Sequence, residues 1–131
     1  FVRAAGIVGD ARRAELLCGL RHGERVRKPT IVAMHHPVVE HTIGAWQWFD
    51  GLVDAREVST LFAAHRGAHV LHGHWHRHTD LRIGDDVRLR AHGALAVADH
   101  PRPLRVYEIE DGRVEIRAAR VESVRPDVAF S

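Results

Sequence analysis

The stretch "AHVLHGHWHRH", residues 68–78, combines a short apolar run with histidines at every second position from His72 to His78. Residues i and i+2 of an extended segment point the same way, so all four rings could share one side. Gly73, directly after the apolar run, favours a turn out of the sheet at that point. The pattern therefore predicts a buried strand over 68–73, with His74 and His76 on the loop beyond its end.

A second apolar run, "TIVAMHH" at 30–36, stops at Pro37 and predicts another buried strand. If the two strands lie side by side, their ends bring His35 and His36 to the same sheet edge as His74 and His76. Ligand sites of α/β sheets usually lie at such edges. A metal site needs at least three protein ligands, so neither loop would be sufficient alone.

The rest of the chain predicts helices packed on a sheet, an α/β (α+β) fold class. Asp10 is expected to cap a helix over 11–21, and Asp54 with Glu57 forms a capping box for a helix over 54–67. Residues 38–53 lack a clean period and predict an irregular loop. Alternating runs then predict three or four antiparallel strands, at 86–92, 94–98, 104–110 and 113–122.

Composition narrows the class of protein. The 131 residues suffice for one domain, and 45% hydrophobic with 27% charged residues is ordinary globular composition. A net charge of +2, with the arginines scattered, does not indicate a nucleic-acid partner. No apolar run approaches the roughly 20 residues of a membrane span, and Cys18 is the single cysteine. We expect a cytoplasmic protein with no membrane partner, whose 12 histidines indicate metal binding or proton transfer.

The two histidine segments, "VAMHHPV" at 32–38 and "VLHGHWH" at 70–76, together resemble the last two sequence blocks of the calcineurin-like metallophosphoesterases. That superfamily includes bacterial phosphodiesterases and purple acid phosphatases. The resemblance implies that residues 1–125 are the C-terminal half of a four-layer αββα metallo-dependent phosphatase fold, with 126–131 as a tail. It also implies hydrolysis of a small-molecule phosphate ester, most readily a phosphodiester.

The resemblance further implies a dinuclear centre of two divalent transition metals, among Mn, Fe, Zn and Co. His35 and His74 would bind one metal and His76 the other, while Trp75 points away. His36 is the candidate catalytic residue, since it would either support the ligands or touch the phosphate; a merely packed histidine is the alternative.

The blocks expected in the front half of that superfamily, D-x-H, G-D and G-N-H, are not found. The "VGD" at 8–10 imitates one of them, but an N-cap role for Asp10 is the favoured interpretation. Because the chain also begins at Phe1, we expect it to be a C-terminal portion, with the remainder of the domain upstream and little activity alone.

Two other interpretations stay open. The chain could be a non-catalytic module that binds a single Zn²⁺ through His35, His74 and His76, or a histidine-rich domain without metal. The aromatic side chains at 46, 48 and 49 could line a substrate pocket or cover the core.

Overall fold

The computed structural model of the protein describes residues 4–83, 89–93 and 104–119. This part of the chain is mixed α and β, which confirms the coarse fold class; the four-layer arrangement stays a prediction. Among the described helices, none is long and apolar enough to cross a membrane. The elements are α1 (Gly9–Val26), β1 (Thr30–Met34), α2 (Gly44–Asp50), α3 (Ala55–Ala64), β2 (Ala68–His72), β3 (Thr79–Ile83), β4 (Leu89–Gly93), β5 (Leu104–Glu110) and β6 (Arg113–Ala119).

The main sheet has the strand order β1-β2-β4-β3. Strands β1 and β2 are parallel, with pairs running from Thr30–Ala68 to Met34–His72. Strand β4 is parallel to β2 and antiparallel to β3, so the prediction of a wholly antiparallel C-terminal part is wrong for this strand. Alternation of apolar residues marks a strand but does not encode its direction, which the connecting chain decides. The predicted strand at 94–98 lies outside the described residues.

The last two strands form a hairpin of their own. Strand β5 pairs antiparallel with β6, from Leu104–Ala119 to Glu110–Arg113, which confirms the alternating pattern there. The Arg105 guanidinium ties this hairpin to the main sheet, since it donates to both carboxylate oxygens of Asp80 at 2.8 and 3.0 Å and to the Thr79 carbonyl at 3.0 Å.

One hydrophobic core joins the helices to the main sheet. Helix α3 buries Ala55, Val58 and Phe62, whose spacing of three and four residues keeps them on one helical face. Phe62 and Val58 are completely buried, and burial of a side chain of this size is worth about 1.5–3 kcal/mol. The described core comprises Leu20, Val38, Leu52, Ala55, Val58, Phe62, Ala68, Val70 and Ala91.

Helix α1 is longer than predicted at both ends. It begins at Gly9 and continues to Val26, where Arg27 turns into the left-handed region with φ 54° and its N–H donates to the Glu24 carbonyl. Gly23 lies against the start of β1, because a β-carbon at that position would overlap the Thr30 hydroxyl. The last turn of α1 therefore packs directly on the strand that leads to His35.

Asp54 joins the two long helices. Its carboxylate, instead of capping α3, accepts the N–H groups of Val8 at 3.0 Å and Gly9 at 2.9 Å and pairs with Arg13. Asp54 occupies the predicted N-cap position of α3, but its side chain makes no capping hydrogen bond there. The predicted N-cap role of Asp10 is wrong, since Val8 is the N-cap of α1 and Asp10 lies exposed in its first turn. The free N–H groups and the positive end of the helix dipole attract this buried carboxylate.

The environment of Asp54 also determines its ionisation. Burial raises the pKa of this carboxyl, but the two backbone N–H donors and the Arg13 guanidinium lower it by more, and the pKa lies below its ordinary value of 3.8. A depressed folded-state pKa means that the stabilisation is complete above about pH 4 and is lost as the pH falls through the folded value.

We expect Asp54→Asn to lower the free energy of unfolding by about 1–3 kcal/mol at pH 7, because charge-assisted hydrogen bonds to α1 are lost. The difference from the unsubstituted protein should narrow at pH 3, because this pH lies below the ordinary pKa of 3.8 and the carboxyl then takes up a proton more readily in the unfolded chain than in the folded protein. Urea unfolding at the two pH values measures both effects. Asp10→Asn, at an exposed carboxylate that pairs with the same arginine, is the control and should change stability by less than about 0.5 kcal/mol. An equal loss for Asp54→Asn at both pH values would contradict this account.

Candidate metal centre

The candidate site lies where β1 and β2 end. The parallel ladder continues one step past the Met34–His72 pair, since the Gly73 N–H donates to the His35 carbonyl at 3.0 Å. This hydrogen bond holds the two loops together just as they leave the sheet. The prediction of two strand ends side by side is confirmed.

Three imidazoles converge at this edge: His35, His36 and His74 each offer a ring nitrogen within 4.8 Å of the other two. The Nε2 atom of His35 lies 3.3 Å from Nδ1 of His74. The ring centroids of His36 and His74 are 4.3 Å apart. His35 is exposed and the other two are half-buried, so the group is open to solvent on one side.

His76 is not a member of this group. It is exposed, two residues further along the loop than His74. Its assignment to a second metal stays a prediction. His36 lies close enough to the other two rings to be a ligand itself, and its predicted role in supporting the ligands or touching a phosphate stays a prediction.

The N-terminal segment holds His36 in place. The His36 Nε2–H donates to the Ala4 carbonyl at 2.6 Å, and the ring lies so close to Gly6 that a β-carbon there would be 2.5 Å from Nδ1. The segment is fixed in turn by hydrogen bonds from Gly6 N–H to the Gly51 carbonyl and from Val53 N–H to the Gly6 carbonyl, at 3.1 and 2.8 Å. His36 is thus positioned by residues about 30 positions before it.

Asp50 is the member of the site that sequence reasoning missed. It ends the short helix α2, inside the segment predicted to be an irregular loop, and its Oδ1 lies 3.2 Å from Nε2 of His74. The sequence signal was weak: one aspartate after an aromatic run, with no spacing that relates it to either histidine block.

The loop that carries His74 is strained. His74 and His76 have φ values of 63° and 49°, in the left-handed region that residues with a β-carbon occupy at a cost of roughly 1–2 kcal/mol each. Backbone strain of this kind is concentrated at functional sites. Between them, Trp75 lies against His72, with ring centroids 5.6 Å apart, and under the Arg77 guanidinium at 5.0 Å.

His72 belongs to the strand and not to the group of three. It is 3% exposed, with Nδ1 at 3.2 Å from the Gly73 carbonyl and Nε2 at 3.4 Å from the Thr79 hydroxyl. Of the four alternating histidines, His74 alone lies in the group.

The aromatic side chains of α2 are on the surface. Trp46, Trp48 and Phe49 are 59%, 52% and 42% exposed, so they do not cover the core. They lie on the helix that ends at Asp50, next to the site, so their predicted role in lining a substrate pocket stays a prediction.

Comparison of the sequence with protein-family models and with curated proteins finds no match. The two histidine blocks and the geometry of the site are therefore the features that indicate a function.

The donor set fits a late first-row divalent metal. Imidazole nitrogen suits zinc, iron, nickel and copper better than it suits magnesium or calcium. Two nitrogens bound to one tetrahedral zinc, at about 2.0–2.1 Å each, lie about 3.3 Å apart. The separation of His35 Nε2 from His74 Nδ1 equals that value.

We expect Gly6→Ala to displace the His36 ring and to cost about 1–3 kcal/mol of stability, because the new β-carbon would overlap it. Thermal unfolding and the NMR resonances of the His36 ring measure the two effects. Gly19→Ala is the matched control: its β-carbon has nothing within 4 Å, and alanine should stabilise α1 by about 0.5–1 kcal/mol. Unchanged His36 resonances in Gly6→Ala would show that the close contact is not as described.

Proposed function

We propose that this chain supplies His35, His36 and His74 as ligands to the divalent transition-metal centre of a phosphoester hydrolase, with a small-molecule phosphodiester as the substrate. The observation that carries the proposal is the convergence of three imidazoles at the ends of two parallel strands. The order and composition of the two histidine blocks support the choice of reaction.

The residues of the chain have separable roles in this proposal. His35, the exposed member, leaves one side of the site open to a substrate, while the His74 side chain is only 11% exposed. The Ala4 carbonyl accepts a hydrogen bond from the outer nitrogen of His36, and the Asp50 carboxylate lies 3.2 Å from the outer nitrogen of His74. When bound, the metal would supply an activated water near neutral pH and neutralise charge on the phosphate.

A second candidate is a non-catalytic site for a single Zn²⁺. One observation favours a single metal: the described residues supply one group of three histidines, which is enough for one ion. The dinuclear enzyme requires a second metal, for which His76 is the proposed ligand. Metal stoichiometry separates the candidates, with two ions per chain for the first and one for the second.

We expect Zn²⁺ or Mn²⁺ to raise the melting temperature of the protein, because binding to the folded state alone stabilises it. His35→Ala and His74→Ala should each abolish most of this shift, since they remove ligands. His22→Ala, at an exposed ring on α1, is the control and should keep the shift intact. A metal-dependent shift that survives both ligand substitutions would contradict the proposed site.

We expect the chain alone to cleave bis(4-nitrophenyl) phosphate only slowly in the presence of Mn²⁺, because the D-x-H, G-D and G-N-H blocks are not found in it, and a chelator should stop the reaction. His74→Ala should reduce this rate by more than about 100-fold, because loss of an outer partner of a ligand already costs about 10–100-fold. Release of nitrophenol measures the rate. A rate that His74→Ala leaves unchanged would contradict the assignment of this histidine to a catalytic metal.

A further inference from the structure

The contact between Asp50 and His74 affects which ring nitrogen of His74 is available to bind a metal. The carboxylate Oδ1 lies 3.2 Å from His74 Nε2, and the opposite nitrogen of the same ring, Nδ1, lies 3.3 Å from His35 Nε2. An ionised carboxylate only accepts hydrogen bonds, so the ring nitrogen that faces it carries the hydrogen. A neutral imidazole has one N–H, and Nδ1 of His74 is then left with its lone pair directed at His35.

We propose that Asp50 is a positioning residue: it holds His74 in the Nε2–H tautomer and so presents Nδ1 as the metal-ligating atom. This inference rests on the proposed metal centre and adds to it the residue that selects the ligating atom. Metal-bound histidines commonly donate their other N–H to a carboxylate, which sets both the tautomer and the orientation of the ring. In the metal-free protein, His35 Nε2–H donates to the same lone pair.

Asp50 is well placed for this role because its helix is held firmly. The Gln47 side chain, one turn earlier, accepts the His41 N–H at 2.5 Å and donates to the Leu52 carbonyl. On the other side, Ala4 N–H donates to the Phe49 carbonyl at 3.0 Å. The backbone around Asp50 is thereby attached both to the loop that follows β1 and to the N-terminal segment.

The hydrogen bonds of Ala4 also connect the partner of His36, Ala4 itself, with the partner of His74, Asp50. Ala4 accepts from His36 through its carbonyl and donates to Phe49 through its N–H, next to Asp50. One segment therefore orients His36 directly and supports the residue that orients His74. Neither partner has to be a metal ligand to influence metal binding.

The test combines Asp50→Ala, Asp50→Asn and the control Glu40→Ala in the full chain. Glu40 is matched to Asp50, since both side chains are 49% exposed and Glu40 pairs with Arg56 instead of a histidine. The first readout is the tautomer of His74 in the metal-free protein, from imidazole ¹⁵N chemical shifts. The second is the affinity for Co²⁺ and Zn²⁺, from the visible spectrum of the cobalt form and from competition with zinc.

We expect His74 to be an Nε2–H tautomer in the unsubstituted protein and in Glu40→Ala, and to lose that preference in Asp50→Ala. Metal affinity should fall by about 10–100-fold in Asp50→Ala and by less than about threefold in Glu40→Ala. Asp50→Asn keeps an acceptor oxygen without the charge, so it should retain the tautomer and recover part of the affinity.

The inference is overturned if His74 keeps the Nε2–H tautomer and full metal affinity in Asp50→Ala, or if Glu40→Ala weakens binding equally. Its failure is distinguishable from failure of the proposed function. A protein that binds no metal would refute the metal centre, while the ¹⁵N measurement on the metal-free chain would still decide whether Asp50 sets the tautomer.

Discussion

The parallel pairing of β1 with β2 is the constraint on which the candidate site depends. Parallel strands end at the same edge, and here the ladder extends one hydrogen bond further, from Gly73 N–H to the His35 carbonyl. A shift of the register by one residue would turn Val70 out of the core and separate His35 from His74, because side chains alternate between the two faces. The buried apolar residues of β2 therefore specify the geometry of the histidines as well as the stability of the sheet.

Around this edge, long-range contacts do most of the positioning. Asp54 caps α1 from the start of α3, and the segment at 4–6 lies against the segment at 49–53. These contacts connect parts of the chain about 45 residues apart and bring Ala4 to His36. The packed core therefore fixes the segments that orient the His36 and His74 rings. The loop of His74 is itself strained, so contacts from other parts of the chain have to hold it.

Much of this arrangement was predictable from residue types. Apolar runs at 30–34 and 68–72 marked β1 and β2, and the apolar spacing of α3 marked its buried face. Burial was predicted correctly for β2 and wrongly for β1, which stands at the edge of the described sheet and is only half-buried. Alternation marked β5 and β6. The predictions that were wrong concern the N-cap of α1, the side-chain partner of Asp54, the helix inside 38–53, and the direction of β4. The partner of Asp54 and the direction of β4 depend on segments that lie far away in the sequence.

The same division holds for the site. Residue types alone placed His35 and His36 after one apolar strand and His74 after another, because apolar runs and the glycine or proline that ends them are local properties of the chain. The folded arrangement brings His36 into the group of three, buries His72 within the sheet and leaves His76 outside the group. It also places Asp50 beside His74. The physical reason is that ligand geometry depends on distances between segments, which are set by strand pairing and helix packing and leave no signature in the spacing of residues along the chain.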